Sequence, residues 1–126
     1  MSRSYRMVSY LEVGTKLSLE DCGYWQDILY RCLDEPQDVI LGEEPSSSPD
    51  DVDVSFIYDG TTQFYLNIER CLGGGYSEDE YAADFQKALH ILTKGTALDF
   101  KVSLSLYYLE HDPDLYLSFN RQDLAV

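Results

Sequence analysis

The sequence predicts an α+β protein in two layers, with a mainly antiparallel sheet of about five strands and two helices on one face. Two runs with alternating apolar side chains flank Asp59-Gly60, which is the strongest short-range pattern for a β-hairpin. Two further segments, 18–33 and 77–92, repeat apolar residues at helical spacing. A second pair of alternating runs flanks residues 111–114. The order strand, helix, hairpin, helix, hairpin fits a single domain over residues 1–126.

The beginning of the chain predicts a strand and then a helix. Residues 6–13 are β-prone and place apolar side chains at alternate positions. Ser18, followed by Asp21 three residues later, is a typical helix start, because the carboxylate suits the positive end of a helix. The apolar residues of 22–33 continue at helical spacing, and this first helix must end before Pro36.

Residues 34–51 are predicted to form an acidic loop. Pro36, Pro45, Pro49 and three serines favour irregular structure, with a short extended piece at 39–41. Nine acidic residues and no basic residue occur from 34 to 59, so the negative charge of the chain is concentrated here. A loop of this length is commonly functional.

The second half of the chain predicts two hairpins separated by a helix. The first hairpin spans 51–71 around Asp59-Gly60. Ser77 and Glu80 form a capping box at the start of the second helix, and Gly95 is placed to cap its end. Residues 101–109 and 115–119 then alternate as the two strands of the second hairpin.

The net charge is the unusual feature of the composition. The 126 residues include 23 acidic and 9 basic side chains, and the formal charge is −14. Small domains usually carry a charge of about 2 to 8 in magnitude, because larger values cost compactness. A basic partner, exclusion of nucleic acid, solubility or a salt-rich habitat would each explain the excess. Direct binding to nucleic acid or to an anionic membrane is disfavoured, since both need Lys and Arg.

The chain is expected to be cytoplasmic. Its first residues are interrupted by Ser9 and Glu12 and do not form a secretory signal, and no apolar run is long enough to span a membrane. Cys22, Cys32 and Cys71 are odd in number and form no CxxC pair. This pattern favours reduced thiols over a disulfide framework.

No motif predicts catalysis, a metal or another cofactor. The glycines at 73–75 precede a helix, but Glu78 and its acidic neighbours would repel a phosphate there. The two histidines, His90 and His111, have no nucleophile at a recognisable spacing, so no catalytic residue is predicted. The closely spaced aspartates at 50–53 lack the glycine and closing glutamate of an EF-hand.

The tyrosines favour a protein interface. The chain has 11 of them, and several fall on or beside predicted strands. Tyrosine suits strands in general, but it also contributes contact area and a hydroxyl at interfaces. Surrounding carboxylates would complement a basic partner.

In size, charge and layout the chain resembles the acidic immunity proteins that bacteria use to neutralise a cognate toxin. The resemblance implies a stoichiometric inhibitor of a basic protein partner, such as a nuclease toxin, and not an enzyme. The residues expected to contribute to the partner-binding surface are Glu43, Glu44, Asp50, Asp51, Asp53, Tyr58, Asp59 and Tyr65.

Two alternatives stay open. A phage or mobile-element protein that mimics DNA would carry acidic groups spaced like duplex phosphates and would inhibit a host nuclease or defence complex. A small ligand-binding domain or enzyme would instead have a pocket between sheet and helices, lined by tyrosines, Cys71 and a histidine.

Overall fold

The helices pack on one side of an antiparallel sheet, which defines an α+β protein and confirms the predicted class. The computed structural model describes residues 3–43, 53–58, 60–108 and 115–124. The strands are β1 (Arg3–Val13), β2 (Asp53–Tyr58), β3 (Thr61–Leu72), β4 (Phe100–Tyr107) and β5 (Leu115–Asn120). The helices are α1 (Leu19–Asp34), α2 (Pro36–Leu41), α3 (Glu78–Thr93) and α4 (Arg121–Leu124).

The sheet is antiparallel, as predicted, and β1 lies at its centre. The strands pair in the order β2-β3-β1-β4-β5. Met7 of β1 pairs with Ile68 of β3 on one side and with Leu106 of β4 on the other. Strands β2 and β3 form the predicted hairpin, in which Gly60 takes a positive φ of 78° that a side chain would strain. Strands β4 and β5 form the second predicted hairpin, whose turn lies outside the described residues.

One side of the sheet and the helices enclose the hydrophobic core. From Tyr5 to Val13 the odd-numbered residues of β1, among them Met7 and Leu11, are buried, because alternate side chains of a strand share a side. Trp25 of α1 and Phe85 of α3 pack against this side and are also buried. Ser9 is buried among them, and its hydroxyl donates to the Ser103 carbonyl oxygen at 2.8 Å.

Helices α1 and α3 pack side by side in opposite directions. Near the start of α1, the Tyr24 hydroxyl donates to the carbonyl oxygen of Leu92, close to the end of α3, at 3.3 Å. At the opposite end, the hydroxyl of Tyr81 donates to the carbonyl oxygen of Leu33. The last turn of α1 therefore lies beside the first turn of α3.

Three details of the predicted helices are wrong. Residues 36–41 form α2, and not a loop with an extended piece, because proline fits the first turn of a helix, where its missing N–H is not needed. The short α4 was also not predicted, so the protein has more than two helices. At the end of α3 the cap is Lys94, and Gly95 does not take the left-handed conformation expected of a capping glycine.

Candidate functional site

Three helices bring carboxylates together at one end of the helical layer. Because α1 and α3 are antiparallel, the end of α1 lies beside the start of α3, and α2 follows α1 directly. We call this region the acidic end; it comprises Asp34, Glu35, Asp38, Glu43, Glu78, Asp79, Glu80 and Asp84. Half of these residues come from the segment 34–59 that the sequence singled out, and half come from α3.

Like charges are crowded within the acidic end. A hydrogen bond with Glu35 raises the pKa of Asp38, and desolvation and the negative charges of Glu35 and Glu43 raise it further. The guanidinium of Arg70 acts in the opposite direction. The carboxylates of Glu35 and Glu43 therefore disfavour the ionised form of Asp38, and a nearby cation favours it.

The buried Tyr5 and the half-buried Tyr76 position the start of α3. The hydroxyl of Tyr5 on β1 donates to Glu78 Oε1 at 2.6 Å, and the hydroxyl of Tyr76 donates to Asp84 Oδ2 at 2.7 Å. Ser77 caps the helix, because its hydroxyl oxygen accepts from the Glu80 amide at 3.1 Å. These bonds hold the first turn of α3, and with it three carboxylates, against the sheet.

The side of the sheet opposite α1 and α3 forms a second candidate surface. We call it the open face; it comprises the even-numbered positions of β1 and β5 and the odd-numbered positions of β3 and β4. Tyr10 and Tyr65 lie side by side there, with ring centroids 4.9 Å apart. Tyr10 and Tyr116 are 56% and 61% exposed, which is unusual for such large side chains. The guanidinium of Arg6 lies 4.5 Å from the ring centroid of Tyr107.

The structure separates the described residues of the predicted partner-binding surface into two groups. Glu43 is exposed after α2, in the helical layer. Tyr65 lies on the open face, and Asp53 pairs with it across β2 and β3. Tyr58 pairs with Thr61 at the other end of the same hairpin. The remaining predicted residues, Glu44, Asp50, Asp51 and Asp59, lie outside the described part of the chain.

The sequence interpretation missed the contribution of α3 to the acidic end. The sequence pattern at Glu78, Asp79 and Glu80 indicates only a helix start and argues against phosphate binding there. Their position beside Asp34 depends on the antiparallel packing of the two long helices. Two amphipathic helices of equal length on one sheet indicate that the helices pack side by side. They do not specify which ends of the helices meet.

A cavity of about 320 Å³ lies at the opposite end of β1 from Tyr5. The residues that line it are Glu12, Gly14, Thr61, Asp99, Phe100, Lys101, Asn120, Arg121 and Gln122. Charges of both signs occur there, and Arg121 approaches Asp99 to 3.8 Å. The lining includes no tyrosine, cysteine or histidine, so this cavity is not the pocket that the small-ligand alternative predicts.

Neither a metal centre nor a relative identifies the site. Within the described ranges, no group of three or more His, Cys, Asp or Glu side chains is arranged to hold a metal ion. The same part of the chain has no helix with the length and apolarity needed to cross a membrane. No protein-family model, curated protein or solved structure matches this chain. The fold and its surfaces define an α+β protein with an acidic helical end and a tyrosine-bearing sheet face.

Proposed function

We propose that this protein is a stoichiometric inhibitor of the immunity-protein type, which neutralises a basic cognate toxin such as a nuclease. The observation that supports this function is the acidic end, where eight carboxylates on or directly beside α1, α2 and α3 occupy one end of the helical layer. The protein acts by binding and not by catalysis, and the binding is to a protein and not directly to nucleic acid. Three free cysteines fit action in a reducing cytoplasm.

Electrostatics would contribute mainly to the rate of association. A concentrated negative field raises the encounter rate with a basic partner by roughly 10- to 1,000-fold at low salt. The lysines and arginines of a nuclease cleft would meet the acidic end, and the pKa of Asp38 would then fall towards its ordinary value, because a nearby cation favours the carboxylate. Complex formation would therefore favour the ionised form of Asp38.

The test uses two double variants with the same change of charge. Glu43→Gln with Asp79→Asn neutralises two exposed acids of the acidic end. Glu20→Gln with Asp99→Asn is the matched control, because Glu20 also occupies the second position of a helix and all four residues are exposed. Binding is measured to the purified basic protein encoded by the neighbouring gene, since an antidote is expected beside its toxin.

The first variant should lower the association rate several-fold and flatten the salt dependence of the affinity, whereas the control should stay near wild type. Equal effects of the two variants would contradict a role for the acidic end. A separate variant neutralises the six acids of the sequence-predicted surface, which are Glu43, Glu44, Asp50, Asp51, Asp53 and Asp59. Unchanged affinity and salt dependence in that variant would exclude that surface, including Tyr58 and Tyr65 beside it.

A further inference from the structure

The open face has the composition of an interface with an uncharged centre and a charged rim. Val8, Tyr10 and their register neighbours on β3 and β4 are all uncharged. Charged side chains lie along β1 only towards its ends, at Arg6 and Glu12, with Glu69 beside the first and Lys101 beside the second. Interface centres are depleted of charge and enriched in tyrosine, and their rims are polar.

The charges that β1, β3 and β4 place on the open face cancel, and Asp53 of the edge strand β2, whose position pairs with Tyr65, adds one negative charge. Arg6 and Lys101 balance Glu12 and Glu69, although the whole chain carries −14. A basic partner would gain little from a patch with so small a net charge, since complementary fields need opposite net charge. A second copy of the chain is different, because this face adds little net repulsion and the acidic end lies on the other side of the sheet.

We propose that the open face is the contact surface of a symmetric dimer, in which two sheets stack with their β1 strands antiparallel. The two-fold axis crosses β1 at Ser9, parallel to the sheets and perpendicular to the strands. Arg6 of each copy then lies opposite Glu12 of the other, as a two-fold interface requires. Stacking about an axis along the strands would instead place Arg6 against Arg6 and Glu12 against Glu12.

The same operation matches large side chains with small ones. Tyr10, which is 56% exposed, lies opposite the smaller side chain of Val8, which is only 8% exposed. Through the registers of β1 with β3 and of β4 with β5, Tyr65 lies opposite Asn67, and Tyr116 lies opposite Ser118. Aligned sheets pack within about 30° of each other, so these pairs, which are close to the axis, stay in contact.

The dimer is separate from the proposed inhibitor function, because the open face includes no residue of the acidic end. Dimerisation also has the opposite salt dependence. The net charges of two copies repel each other, so added salt should strengthen the dimer, whereas it should weaken a complex with a basic partner. The two interactions can therefore be separated in the same buffers.

Sedimentation equilibrium of the full chain alone, without any partner, tests the dimer. Arg6→Glu and Glu12→Arg should each raise the dimer dissociation constant about tenfold or more, because each places like charges opposite one another. The double variant should restore it to within about threefold of wild type, since the pair re-forms with reversed polarity. The restored dissociation constant cannot come from a contact between residues 6 and 12 of the same copy, because six residues of strand separate them by about 20 Å.

Two further variants complete the design. Lys87 is exposed on α3, away from the open face. Lys87→Glu makes the same change of charge as Arg6→Glu and should leave the dimer dissociation constant unchanged. Tyr116→Ser removes an exposed ring without a change of charge and should weaken the dimer. Circular dichroism confirms that each variant is folded. A wild-type chain that stays monomeric at high concentration and salt, or a double variant no tighter than the singles, would overturn the proposal.

Discussion

The buried hydroxyl of Tyr81 should stabilise the protein far more than the exposed hydroxyl of Tyr24. Each tyrosine bridges α1 and α3, and each donates to a carbonyl oxygen near the end of the other helix. Tyr81 is fully buried, and its acceptor, the Leu33 carbonyl, lies in the last turn of α1, where carbonyls lack helical partners. Tyr24 is 52% exposed, so water can replace its bond.

Tyr81→Phe keeps the ring and removes only the hydroxyl. The variant leaves a buried carbonyl without its donor, which costs about 1–3 kcal/mol of unfolding free energy. Tyr24→Phe makes the same chemical change at the solvated end and should cost no more than about 0.5 kcal/mol.

Urea unfolding, followed by circular dichroism, measures both variants. With a slope of roughly 1–3 kcal/mol per molar urea, a loss of about 2 kcal/mol lowers the midpoint by roughly 1 M. The slope itself should not change, because both variants bury the same surface. Equal losses in the two variants, or no loss in Tyr81→Phe, would refute the reasoning that burial decides the contribution of the bridge.

Three other predictions follow from burial. Thr62→Val should cost about 1–3 kcal/mol in the same urea assay, because the buried hydroxyl accepts from one backbone amide and donates to one carbonyl, both at 2.9 Å. Cys71 is exposed and should react rapidly with a thiol reagent in the native protein, while the other two cysteines react only after denaturation. Burial raises the tyrosine pKa at positions 76 and 81, so the folded state keeps protons that the unfolded chain loses near pH 10. Stability should therefore decline as pH rises above 10, and Tyr76→Phe should reduce that decline.

Local sequence patterns predicted the elements that depend on local chemistry. The hairpin at Gly60 follows from a residue that tolerates positive φ between two alternating runs. The starts of α1 and α3 follow from Ser18 and Ser77, both of which accept a backbone hydrogen bond as predicted. Helix α2 was missed because Pro36 was interpreted as a helix breaker, although it lies in the first turn.

The candidate surfaces could be predicted only in part, because they depend on which distant segments meet. Half of the acidic end lies in one continuous segment and could be predicted from the sequence. The position of Asp79 beside that segment could not, because it depends on how the helices pack. It also selected Tyr65 without Tyr10, although the two rings are in contact. Their pairing is set by the β1–β3 register, and the sequence does not specify the strand order.

The central position of β1 affects how the protein folds during its synthesis. This strand pairs with β3 and β4, both of which follow it in the chain after intervening helices. The ribosome must therefore release β4 before both edges of β1 can be paired. Until then the nascent polypeptide exposes an unpaired strand edge, which invites aggregation, and the long sequence separation slows folding.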